Sequence, residues 1–114
     1  MQRNSANEIA KNFIRIAKLV WGNKIQNIVL YNVNDTPYKM FSIKFAIYNY
    51  YIIVFNYERG HFVSSIIFGE DAISIESNIE WDDNCDIHEY WDSIDKQIRL
   101  RIPDKFLEAN GWNL

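Results

Sequence analysis

The stretch that decides the fold is Lys39-Met-Phe-Ser-Ile-Lys-Phe-Ala-Ile-Tyr48, Asn49-Tyr50, Tyr51-Ile-Ile-Val-Phe-Asn-Tyr57, Glu58-Arg-Gly-His61 and Phe62-Val-Ser-Ser-Ile-Ile-Phe68. β-Branched and aromatic residues dominate it, and these fit a pleated, half-buried surface. Phe41, Ile43, Phe45 and Ile47 alternate with Ser42, Lys44, Ala46 and Tyr48. That period of two marks a strand with one face in a core. Tyr51 to Phe55 is apolar at every position, which predicts a central strand covered on both faces. The expected core is Phe45, Val54 and Ile66, with Phe13 and Ile94 on helices that cover the sheet.

Outward from this stretch, the other elements fall into place. Strands are predicted over Ile25–Tyr31, Lys39–Tyr48, Tyr51–Tyr57, Phe62–Phe68 and Ala72–Glu76. Asn32 to Pro37 is a loop, since proline cannot donate to a central ladder. In the turn Glu58–His61, Gly60 is the residue expected at positive φ. Short connections between successive strands favour an antiparallel meander.

Before the sheet, Ser5 and Glu8 have capping-box spacing. Ile9, Phe13, Ile16 and Val20 follow at helical intervals, with Ala10 and Ala17 beside them, and Gly22-Asn23 supplies a stop. After the sheet, Asp86 repeats the capping logic, and Ile87, Tyr90, Trp91, Ile94 and Ile98 mark one helical face. Pro103 opens a last short helix to Ala109. The expected fold is α+β: an N-terminal helix, an antiparallel meander of about five strands, and C-terminal helices packed on the sheet.

The 114 residues suit a single domain spanning 1–114. Nearly half are hydrophobic, enough for a core without metal or disulfide. Cys85 is the sole cysteine, so no intrachain disulfide forms and a reducing compartment is the simplest setting. The amino terminus lacks an apolar signal-peptide core and no run is long enough to span a membrane, so the chain reads as soluble and cytoplasmic.

The net charge of −3 is unevenly distributed. Residues 60–95 hold ten carboxylates and no lysine or arginine, while the remainder carries twelve basic residues against five acidic ones. Asp92 and Asp95 each precede a cation by four residues and are expected to form routine helix-surface pairs with Lys96 and Arg99. Asp86 is assigned as a cap. Glu76, Glu80, Asp82, Asp83 and Glu89 have no local cation and surround Trp81. An aromatic residue ringed by one sign of charge is a candidate protein interface, and these six residues are the candidate partner-binding set. Nucleic acid would be repelled there. Asp82-Asp83-Asn84 with Asp86 lacks the glycine and terminal glutamate of an EF-hand loop.

Enzymatic chemistry has thinner material. His61 and His88 lie in different elements, without metal-ligand spacing, and His88 falls on the solvent side of its helix. Cys85 has no basic neighbour to hold a thiolate. Glu58, Arg59 and His61 put an acid, a cation and an imidazole in one turn, the material of a small hydrolase or nuclease, but only if the side chains converge in a pocket. No catalytic residue, cofactor or metal is assigned.

The tail Arg99-Leu-Arg-Ile-Pro-Asp-Lys-Phe-Leu-Glu-Ala-Asn-Gly-Trp112, with Lys39-Met-Phe-Ser-Ile43 and Phe55-Asn-Tyr-Glu-Arg-Gly60, resembles small bacterial immunity proteins of contact-dependent growth inhibition systems. The resemblance covers most of the chain in length and element order and carries no functional residues across. It implies a cytoplasmic antitoxin that neutralises the C-terminal domain of one cognate toxin, commonly a nuclease that attacks tRNA. A surface that holds RNA is basic, and the acidic block is complementary to it. The alternatives are the hydrolase built on Glu58, Arg59 and His61, or an interaction subunit of another complex. Self-association is left open.

Overall fold

The structure, a computed structural model, describes residues 5–59, 61–75 and 86–112. Helix α1 (Ala6–Trp21) leads through a short 3-10 turn into strands β1 (Ile25–Asn34), β2 (Met40–Ile47), β3 (Tyr51–Glu58), β4 (His61–Phe68) and β5 (Asp71–Ile75). Helices α2 (Ile87–Arg99) and α3 (Asp104–Ala109) follow. The five strands form one antiparallel sheet in sequence order, the meander that the short connections predict. Among the described residues no helix is long and apolar enough to cross a membrane.

Each helix begins as its sequence directs. The Ser5 hydroxyl accepts from the Glu8 N–H at 3.2 Å, and Asp86 Oδ1 accepts from the His88 N–H at 2.9 Å. Pro103 sits at the cap of α3, one position ahead of the expected first turn. In α1 the buried line is Ala6, Ala10, Phe13, Ala17 and Trp21, while Ile9, Ile16 and Val20 are only partly buried. The alanines let the helix approach the sheet closely, so the larger aliphatic residues flank the contact instead of filling it.

Among the described residues, the helices cover one face of the sheet. Register pairs Phe41 with Tyr57, Ile43 with Phe55 and Phe45 with Ile53, and these rows lie under α1 and α2. The core is aromatic: Phe55 and Trp91 meet edge to face at 4.3 Å between centroids, and Phe13 packs on Phe62 at 4.7 Å. The reading of β3 as covered on both faces is therefore corrected. It is central, but Ile52 is 47% exposed and Val54 is half-buried on the free face, outside the core to which it was assigned. Its uninterrupted apolar run reflects one buried row and one that meets solvent. Phe13, Phe45, Ile66 and Ile94 are buried as expected.

β1 is an edge strand with two register shifts, between Gln26 and Val29 and between Tyr31 and Asn34. Asn27 and Asn32 take positive φ within them. Asparagine tolerates the left-handed region, and such bulges break the flat ladder that a stray strand could extend.

Asp95 is also corrected. It is 8% exposed, not a surface carboxylate. One oxygen accepts from Trp21 Nε1 at 2.8 Å and from the Tyr48 hydroxyl. The other lies 3.2 Å from Arg99 Nε, near enough for an ion pair but not aligned as a hydrogen bond. Tyr48 reaches this carboxylate from the β2–β3 turn, where it and Asn49 both have positive φ, a rare conformation for a bulky side chain. Its N–H is held by the Lys24 carbonyl at 2.8 Å.

Burial first, and then the hydrogen bond to Asp95 and the field of its charge, push the Tyr48 phenol well above the usual tyrosine range, against a smaller opposing pull from Arg99. A phenol raised on folding loses its proton first in the unfolded chain. The unfolded state then binds fewer protons, so stability falls as pH rises. This contribution is complete below the unfolded value of about 10 and declines above it. Urea titrations above pH 10 should show a steeper alkaline loss in the parent than in Tyr48→Phe; equal slopes would refute the assignment.

Candidate functional site

The acidic set divides in the structure. Glu76, Glu80, Trp81, Asp82 and Asp83 lie outside the described residues, as does Cys85. Glu89 stands exposed in the first turn of α2, where its charge favours the helix dipole. Its N–H lies 3.4 Å from Asp86 Oδ1. Glu70 and Asp71 are exposed at the β4–β5 turn. Asp92 and Lys96 form the expected exposed pair at 3.7 Å. With Asp95 turned inward, one fewer carboxylate is available to a partner than the charge pattern suggests. His88 is exposed on α2, as its spacing indicates.

Glu58, Arg59 and His61 occupy the β3–β4 turn, all exposed. Glu58 and His61 are ladder partners and so share a face of the sheet. The Tyr38 hydroxyl donates to Glu58 Oε1 at 3.1 Å, and the Arg59 guanidinium carbon lies 4.2 Å from the centre of the Tyr38 ring. Gly60, expected at positive φ, is outside the described residues; Arg59 has a φ of 50°. Its N–H bonds to the Lys39 carbonyl at 3.1 Å. Tyr38 therefore gathers the acid and the cation on one rim of the sheet. The sequence reading missed it, although a hairpin centred near Asn49 brings the residues before β2 opposite the β3–β4 turn.

The free face of the sheet is the other surface that went unread. Its rows run Ala46–Ile52–Ile67–Ala72 and Val29–Lys44–Val54–Ser65, with Val63 49% exposed beside Asn56. Lys44 stands amid apolar and small polar side chains. Two open concavities lie elsewhere: about 780 Å³ near the α2–α3 junction beside Arg99, Leu100 and Asp104, and about 460 Å³ along α1 beside Lys11, Arg15 and Lys18. Among the described residues no three or more His, Cys, Asp or Glu side chains gather as a metal site. No protein-family model, curated protein or solved structure matches the chain.

Proposed function

We propose that this protein is a cytoplasmic antitoxin that acts by binding, neutralising the C-terminal domain of a cognate toxin by covering its active site or substrate groove. The observation that carries this reading is the segregation of charge: ten carboxylates with no lysine or arginine over residues 60–95. A nuclease that holds RNA presents a basic groove, and a surface of opposite sign steers such a partner and fixes its register. The resemblance to immunity proteins of contact-dependent growth inhibition systems supplies the biological setting. The contact surface in this reading is Glu76, Glu80, Trp81, Asp82, Asp83 and Glu89, with the indole as the central anchor.

The test begins with co-purification from native cells and identification of the bound toxin domain. Charge reversal at Asp82 and Asp83 should then slow association, and the loss should shrink with salt, because exposed charges are screened over roughly 8 Å at physiological ionic strength. Trp81→Ala should instead speed dissociation, as a ring seated in a pocket would. If both variants bind and protect cells like the parent, the acidic surface is not the contact. If the purified protein cleaves tRNA, single-stranded RNA or DNA, and His61→Ala abolishes the cleavage, a catalytic reading built on Glu58, Arg59 and His61 replaces the inhibitor.

A further inference from the structure

The Tyr38–Arg59 corner has more structure than a hairpin tip needs. Arg59 has a φ of 50°, the left-handed geometry that the first position of a two-residue turn between the ladder partners Glu58 and His61 requires, so what exceeds the needs of the turn is the contact its side chain makes. The guanidinium lies over the Tyr38 ring at 4.2 Å, and the ring is tethered through its hydroxyl to Glu58. Stacking takes up one face of the guanidinium and leaves the in-plane N–H donors uncovered by the ring. Among the described residues Arg59 has no carboxylate partner, and the adjacent carboxylate, Glu58, already accepts from Tyr38. The cation is thus pre-positioned, with much of its rotamer entropy removed before any ligand arrives.

We propose that this corner anchors a carboxylate presented by an acidic segment of a partner protein, bound in the plane of the Arg59 guanidinium. The chemistry favours a carboxylate for two reasons. A planar fork of donors matches a carboxylate in bidentate fashion, and Lys39, whose carbonyl accepts from the Arg59 N–H, offsets the charge of Glu58 in the same corner. The surface running away from it suits protein more than nucleic acid. Beyond the row Met40–Glu58–His61 come Ser42, Asn56 and the exposed Val63, and then a row in which Lys44 stands among Val29, Val54 and Ser65, whereas a nucleic-acid backbone would call for a continuous track of cations. Tyrosine and arginine are also the residue types that concentrate binding energy in protein interfaces. This inference is independent of the acidic surface assigned to the toxin.

The test uses the full chain labelled with ¹⁵N, titrated with a capped (Glu-Leu)₃ peptide, a hexa-adenylate RNA and inorganic phosphate. The peptide should shift the Arg59 Nε–Hε resonance and the amides of Tyr38, Arg59 and His61 saturably. Arg59→Lys keeps the charge and loses the fork, and should weaken binding about tenfold, as a charge-assisted hydrogen bond is lost. Tyr38→Leu removes the stack and should weaken it comparably. Thermal melts of both variants should stay near the parent's, separating loss of binding from loss of fold. Four outcomes would each overturn the proposal: no saturable shift; shifts centred on Lys11, Arg15 and Lys18 of α1; undiminished binding by Arg59→Lys; or equal shifts with the RNA or phosphate.

Discussion

Replacing Trp91 by alanine should destabilise the domain by about 3–5 kcal/mol, the range for removing a large aromatic side chain from a packed core. Trp91 is fully buried on the inward face of α2. Its ring packs within 5.4 Å, centroid to centroid, of Trp21, Phe55, Phe62 and Tyr90. Its Nε1 donates to the Phe13 carbonyl at 3.1 Å, so the same side chain joins α2 to α1 by hydrogen bond and both to the sheet by packing. Alanine leaves a cavity facing aromatic side chains that are themselves held by neighbours, and such rings cannot easily collapse into it. Against a total stability of ~5–15 kcal/mol, much of the margin is lost. Urea titration should show a lower midpoint with the slope nearly unchanged. A loss below about 1 kcal/mol would mean that α2 does not pack on the sheet as described.

Asp95→Leu should be comparably damaging, for a different reason. Leucine fills a similar space but accepts no hydrogen bond. It strands the Trp21 indole N–H and the Tyr48 hydroxyl and removes the counter-charge of Arg99. Breaking a buried charged network by deleting one partner costs about 3–5 kcal/mol, most of it the penalty of the groups left unpaired. Asp95→Asn keeps an acceptor oxygen and loses the charge, so its cost should fall between that of leucine and that of the parent. The competing view, a helix-surface ion pair spaced i to i+4, predicts at most about 1 kcal/mol for either variant. Chemical denaturation of the two variants side by side distinguishes these views, and a small, equal effect would return Asp95 to the surface.

Asp95 shows where the sequence stops being legible. It sits four residues before an arginine, as Asp92 does before Lys96, and although its spacing from Trp91 and Ile98 sets it nearer the apolar face, periodicity names no partner that would hold a carboxylate there. What separates them is that Trp21 and Tyr48, remote in sequence, place polar groups beneath α2, and only the assembled fold brings the three together. The same limit explains Val54 and Ile52. An apolar run shows that a strand tolerates burial on both faces, not that a second layer exists to bury it. Elements whose signal is local were plain: the caps at Ser5 and Asp86, the helical faces, the alternation in β2 and the short turns that enforce a meander. Local size was misleading in α1, where the alanines mark the centre of contact. Of the candidate partner surface, Glu89 stands exposed in the first turn of α2, and residues 76–85 lie outside the described residues. The Tyr38–Arg59 stack needed strand register, which the hairpin length contained but composition did not.

The meander also has a consequence for the order in which the molecule can assemble. Because each strand pairs with its predecessor, the sheet closes only short loops as it grows and can form in step with synthesis. Its cover cannot. α1 precedes the sheet and α2 follows it, and the aromatic layer needs Trp21 from one and Trp91 from the other. At roughly 5–20 residues per second, the inner face of a growing sheet would wait several seconds for its second helix. During that interval Phe55 and Phe62 lack the ring that later seals them. The nascent chain is therefore most exposed to misassociation between completion of β4 and emergence of α2.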